Sequence, residues 1–334
     1  MKPGEFLTRT LDCFDRVAGR VGSRELDALV AGIHLRLMVA GDRLAGLLLD
    51  GLHPFPAAPE DGRPVAVISA FDSAETGEVP PPPPWGEGDY LPRDEVRGFT
   101  EGRWRAAYSL TNSSLWFYDV DAGRGAGWLR RPPSPESRER AVPWWPALYW
   151  ALAANGRPLI HAAAVGDVLL AGPGGSGKST STFAAAAAGM PCAGDDYVAL
   201  SEGGGSGDWT AHALYRWARL DDASLERFPE IRAVYRDDEK AGVELPNPVE
   251  SVPVRAVIVP RVAARTGRPR PLSRARAARA LAPSTLIQGP AGDPAVAGVL
   301  GRMLRAVPAF GLEVGPDIER IPAALAEAGE MVAA

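Results

Sequence analysis

Apolar residues recur along this chain at two spacings, and the switches between them mark alternating helices and strands. Phe6, Leu11, Phe14, Val17 and Val21 fall at roughly helical intervals, which predicts a helix over residues 5–31. Residues 34–40 (HLRLMVA) and 64–70 (PVAVISA) are apolar runs of strand length. Between them RLAGLLLDGL reads as a helix, with Asp42 placed to cap it. Residues 103–110 and 114–120 alternate as strands about a turn at 111–113, and a further strand covers 127–129. Residues 132–139 read as loop, and 144–155 (WWPALYWALAAN) as a helix whose aromatics suit a core. Beyond it, 158–165 and 167–170 read as two strands about Gly166, followed by a glycine-rich loop and a helix from Lys178 to about Ala188. Strands at 254–260 and 310–314 and helices at 273–281, 295–307 and 322–334 complete an α/β pattern.

The unbroken prolines at 80–84 favour polyproline II and cannot enter a sheet interior. They read as a stiff spacer. On this basis residues 1–95 form a smaller N-terminal α/β domain with a Pro-rich linker, and residues 96–334 a second domain.

Charge and composition narrow the function classes. The net charge is −5 and the basic residues are scattered, so a nucleic-acid surface is not expected. No stretch of about 18 apolar residues is present, so no membrane helix is expected either. Cys13 and Cys192 are the only cysteines and have no metal-site spacing. With an N-terminus lacking the apolar stretch of a signal peptide, they point to the cytoplasm by default.

The sharpest chemical signal is Gly172-Pro173-Gly174-Gly175-Ser176-Gly177-Lys178-Ser179, followed by Thr180. It satisfies G-x-x-x-x-G-K-[ST] at every defined position, between an apolar strand and an alanine-rich helix. The glycines let the backbone curl so that several N–H groups face one point, and the helix N-terminus adds its positive end. Lys178 brings a cation to the β- and γ-phosphates, and the Ser179 hydroxyl suits Mg²⁺. Gly172, Gly174, Gly175, Ser176, Gly177, Lys178, Ser179 and Thr180 are therefore the expected ATP contacts.

The LSGGQ signature of ABC ATPases and the N-K-x-D motif of small GTPases are both missing. Instead Asp195 and Asp196 follow Lys178 by one helix and one turn, on a strand expected beside the loop strand. One carboxylate can take the proton of an attacking hydroxyl while the other helps hold a metal. His161, in the strand before the loop strand, can reach the same sheet end.

Residues 159–200 (LIHAAAVGDVLLAGPGGSGKSTSTFAAAAAGMPCAGDDYVAL) resemble the kinase core of the HPr kinase/phosphorylase family, whose fold is that of ATP-dependent phosphoenolpyruvate carboxykinase. The His, the loop and the acidic pair agree in order and spacing over about forty residues. The resemblance implies an ATP- and Mg²⁺-dependent serine kinase. Asp195, Asp196, His161 and Lys178 would be catalytic, with Asp195 as base and Ser179 and Asp196 toward Mg²⁺. The family's E-V-R-G-like segment after the acidic pair is missing, and residues 95–98 spell those letters in the wrong place. The chain thus looks like a diverged relative, similar to the serine kinases associated with lasso-peptide biosynthesis, with a peptide or protein serine as acceptor. A strict HPr kinase/phosphorylase, a small-molecule kinase and a regulatory module without transfer are the alternatives, and a homo-oligomer stays open. Residues 236–240 (RDDEK) offer a cation, Lys240, but read first as a charged surface turn, and Arg261, Arg265, Arg268 and Arg270 as a solvated loop.

Overall fold

The computed structural model describes residues 1–59, 62–133, 140–204, 207–237, 239–287 and 294–333. The chain is mixed α/β with several sheets, divided into two compact units between Asn155 and Gly156.

In the first unit, α1 (Pro3–Val21) begins with proline in its first turn and stops at Gly22, whose φ is +83°. The helix expected to run to residue 31 therefore ends ten residues early. Residues Ser23–Val30 form β1, which turns through Ala31 and Gly32, both at positive φ, into β2 (Ile33–Ala40). Helix α2 (Asp42–Leu49) has Gly41 at its cap position, with no side-chain bond from Asp42. The Glu75 carboxylate instead accepts from the N–H groups of Arg43 and Leu44. Strand β3 (Ala66–Asp72) and the short α3 (Ser73–Thr76) follow, then β4 (Trp104–Ser109), β5 (Ser114–Asp119), β6 (Arg124–Leu129) and α4 (Trp145–Ala154).

The sheet order is β1-β2-β3-β6-β5-β4, and the parallel β3–β6 pair joins the strands before and after the proline run into one sheet. That pairing moves the division from the expected 95/96 to 155/156. The proline segment does not separate domains. Glu78 is ion-paired to Arg16 of α1, and Trp85 is buried against Phe6 with ring centroids 5.3 Å apart. Phe6, Phe14, Phe99 and Phe117 complete the core beneath α1. Trp116 alternates onto the other face and meets Trp144 at 5.5 Å. The aromatics before and within α4 are thus largely core. Of the loop expected at 132–139, residues 134–139 lie outside the described residues.

The second unit contains β7 (Leu159–Ile160), β8 (Ala163–Val165), β9 (Val168–Leu170), α5 (Lys178–Ala187), β10 (Cys192–Gly194), β11 (Val198–Glu202) and β12 (Trp209–His212). Then come β13 (Trp217–Leu220), α6 (Asp222–Leu225), β14 (Tyr235–Arg236), β15 (Ala241–Glu244), β16 (Ser251–Pro253) and β17 (Ala256–Val262). Strand β18 (Arg270–Leu272), α7 (Arg274–Ala282), α8 (Pro294–Ala306), β19 (Ala309–Val314) and α9 (Ile321–Ala333) complete it. Three sheets result, ordered β10-β8-β9-β17-β19-β18, β16-β12-β11-β7 and β13-β15-β14. Helices α5 and α9 pack together, and the Phe183 side chain of α5 is fully buried among Leu170, Leu220, Phe228 and Leu325. No helix among the described residues is long and apolar enough to cross a membrane.

Truncating Phe6 to Ala should cost the first unit about 3–5 kcal/mol, because the rings of Trp85, Phe99 and Phe117 would border the void. Denaturant titration followed by tryptophan fluorescence checks this, and a loss below about 1 kcal/mol would contradict the packing described.

Candidate functional site

The glycine loop is anchored at both ends by backbone geometry. After β9, the Ala171 N–H donates to Ile258 O of β17 at 2.8 Å. Gly175 and Gly177 then adopt φ of +75° and +97°, a region costly for other residues. A Cβ on Gly177 would also lie 2.7 Å from Val314 Cγ2. No side chain caps α5, so the N–H groups of Lys178, Ser179 and Thr180 lack intrahelical partners and are free to meet an anion. Lys178 is buried, and its Nζ donates to Gly172 O at 2.5 Å and Pro173 O at 3.2 Å, folding back over its own loop. Burial lowers its pKa, while Asp195 and Asp196 act in the opposite sense.

Strand topology brings the remaining residues to this loop. Strand β8 pairs antiparallel with both β9 and β10, so β9 and β10 run the same way with β8 between them. The loop after β9 and the acidic pair after β10 therefore emerge at one end of the sheet. The pair follows its strand rather than lying on it, and that strand is one position further from the loop strand than expected. His161 lies on neither strand. The run expected as one strand over 158–165 breaks at residues 161–162, where the chain passes from the four-stranded to the six-stranded sheet. Residues 195–197 make the reverse passage between β10 and β11, and Ile160 pairs with Val198. Two crossings thus lie side by side. His161 Nε2 stands 2.7 Å from Asp196 Oδ1, and its ring meets Tyr197 edge-on at 5.1 Å. The His161 N–H donates to the buried Thr285 hydroxyl at 3.2 Å.

The two aspartates differ sharply. Asp195 is 3% exposed, its Oδ1 has no hydrogen-bond partner among the described residues, and the Ser179 hydroxyl bonds its carboxylate. Burial, reinforced by the Asp196 charge, pushes its pKa up to about 6 against the opposing pull of Ser179, Lys240 and Lys178. The Asp196 side chain is 27% exposed and engages His161. Among the described residues no group of three or more His, Cys, Asp or Glu could cage a metal. The Ser179 hydroxyl beside an orphaned buried carboxylate oxygen does fit Mg²⁺, which takes few protein ligands and completes its shell with water and phosphate. The sequence paired Ser179 with Asp196 for this role; the structure puts Ser179 against Asp195.

A cleft of about 220 Å³ borders the loop at Gly175, Gly177 and Thr180, with Arg227 and the apolar Val262 and Val314 on its other walls. Thr180 Oγ1 lies 2.9 Å from Ser224 Oγ, and Asp221 caps α6 through the Ser224 N–H at 2.8 Å. Thr285, Tyr197, Asp221 and Ser224 were not singled out from the sequence, since only tertiary pairing brings them here. Arg261 and Arg268 are exposed and ion-paired to Glu313 and Glu327. No protein-family model matches the chain, and no curated protein matches it significantly.

Because the Asp195 carboxyl titrates above its unfolded value, the folded state favours its protonated form. That contribution is present below about pH 4 and is lost as the pH rises through about 6. Asp195→Asn should therefore stabilise the ligand-free protein at pH 8 by up to about 2–3 kcal/mol and change little at pH 4. Denaturant titrations at both pH values test this, and a less stable variant at pH 8 would contradict it. Gly177→Ala should destabilise by about 1–3 kcal/mol through its positive φ and the Val314 contact. Thermal unfolding measures that loss.

Proposed function

We propose that the second unit is an ATP- and Mg²⁺-dependent kinase that transfers the γ-phosphoryl group to a serine hydroxyl of a peptide or protein. The observation that carries this reading is the meeting of the glycine loop, the buried Asp195 and the Asp196–His161 pair at one end of one sheet. The N–H groups at the start of α5 and the Lys178 ammonium would hold phosphate oxygens. The cleft beside Thr180, with its apolar wall and Arg227, has the chemistry to take the base and sugar. The serine acceptor rests on the resemblance to the HPr kinase/phosphorylase core.

The geometry favours the reverse of the division of labour expected from sequence. Asp195, buried and bonded to Ser179, is the carboxylate that would share Mg²⁺ with that serine. Asp196 is the more exposed and is oriented by His161, so a hydroxyl arriving from outside can reach it. It would accept the acceptor proton as the oxygen attacks the γ-phosphorus and the bond to ADP breaks. The bound Mg²⁺ would neutralise phosphate charge as the leaving group departs. The proton lost by the hydroxyl rests on Asp196 until the product leaves, with His161 Nε2 keeping the carboxylate in place.

Incubation with γ-labelled ATP, Mg²⁺ and a panel of serine peptides and small alcohols tests the reading. Peptide label confined to serine is expected, and label on small metabolites alone would overturn the peptide acceptor. Asp196→Asn should bind MgATP within about threefold of the parent but lose at least about 100-fold in transfer. Asp195→Asn should weaken Mg²⁺-dependent ATP binding itself. Unchanged transfer in both variants would overturn the catalytic assignment of this pair, and intact ATP binding with no transfer in the parent protein would leave a nucleotide-binding module.

A further inference from the structure

Beside the glycine loop stands a hairpin formed by β14 and β15, whose tip carries Lys240. Its construction is unusually constrained for a surface turn. Arg219 of β13 and Asp237 of the tip are both almost fully buried, and Arg219 Nε and Nη2 donate to Asp237 Oδ2 at 3.0 and 2.5 Å. The other Asp237 oxygen, Oδ1, accepts from the backbone N–H groups of Glu239 at 2.9 Å and Lys240 at 2.8 Å. The Asp237 N–H in turn donates to Lys240 O at 2.9 Å. One carboxylate thus ties the strand below to the backbone of Lys240. Breaking such a buried pair by removing one partner strands the other charge, so the arrangement is costly to lose.

The register of the sheet says where this tip lies. Leu220 pairs with Ala241, which sets Lys240 across from Asp221. Asp221 caps the turn whose Ser224 hydroxyl meets Thr180, the residue following the loop's Lys178 and Ser179. Asp221 also lines the cleft at the loop. Consistent with that register, the Lys240 charge reaches Asp221, Asp195 and Lys178. Lys178 is meanwhile folded back on the carbonyls of Gly172 and Pro173. A triphosphate would add several negative charges to a site already holding two carboxylates, and a cation in addition to Lys178 would help to balance them.

We propose that Lys240 is a second phosphate-directed cation of the site, and that the Arg219–Asp237 pair is the device that positions it. The inference rests on the kinase reading above and adds the group that recognises the terminal phosphate. Lys240 would contact the γ-phosphoryl oxygens that ATP has and ADP lacks, and Asp237 would act only through Lys240.

Full-length protein, with ATP and ADP binding measured calorimetrically in Mg²⁺, provides the test. Lys240→Met should weaken ATP binding about tenfold or more and leave ADP binding within about threefold, so the ATP-to-ADP preference collapses. Lys240→Arg should restore most of it. Asp237→Asn should lower the same preference, and in the Lys240→Met background it should lower it no further. A purely structural Asp237 would weaken both nucleotides equally and additively, which overturns its positioning role. An unchanged preference in Lys240→Met, with a parent protein that binds ATP, overturns the inference and spares the kinase reading. A parent protein that binds neither nucleotide removes the kinase reading and this inference together.

Discussion

A carboxylate kept from water beside a buried ammonium sets the terms for the second unit. Asp195 and Lys178 would each be costly to bury alone, and the opposite charge of each offsets part of the other's burial, alongside Ser179 and Lys240 at Asp195. Holding these groups in place requires a backbone that does not yield. The six-stranded sheet supplies it, because β9 and β10 are both clamped to β8 and the first residue after β9 is bonded to β17. Apolar packing of α5 through Phe183 fixes the helix whose first turn carries Lys178 and Ser179. The polar centre is thus paid for by the hydrophobic layer behind it.

A second constraint is the pair of crossings between sheets. Where a chain leaves one sheet for another its backbone groups lose ladder partners, and the freed geometry lets side chains turn toward a common point. Residues 161–162 and 195–197 do this beside each other, so His161 and Asp196 meet without either lying on a strand. The stretch is steadied by the Thr285 hydroxyl and the edge of Tyr197.

What could be read from the sequence follows the range of the forces involved. The glycine loop and α5 were legible because local backbone chemistry dictates them. The strands at β2, β5 and β17 were legible because their apolar runs are short and bounded. Strand β1 was misread as helix, since Leu26, Leu29 and Val30 suit either period and only pairing with β2 decides between them. The proline run looked like a domain boundary, yet Trp85 just after it is buried in the first core. The break at His161 and the distinct environments of Asp195 and Asp196 arise from pairings between distant segments, which no local pattern records. The same is true of Arg219 and Asp237, whose burial turns what reads as a charged surface turn into a fixed support.

The pairing of β9 with β17 carries a consequence for how the protein is made. The strand that feeds the glycine loop has a local neighbour in β8, but its other edge stays open until residues 256–262 have been synthesised. On the ribosome, the nascent chain passes through an interval in which the loop sequence exists without its anchor at Ile258. The anchored form of the loop therefore arrives late, when a distant strand docks, rather than with the loop sequence itself.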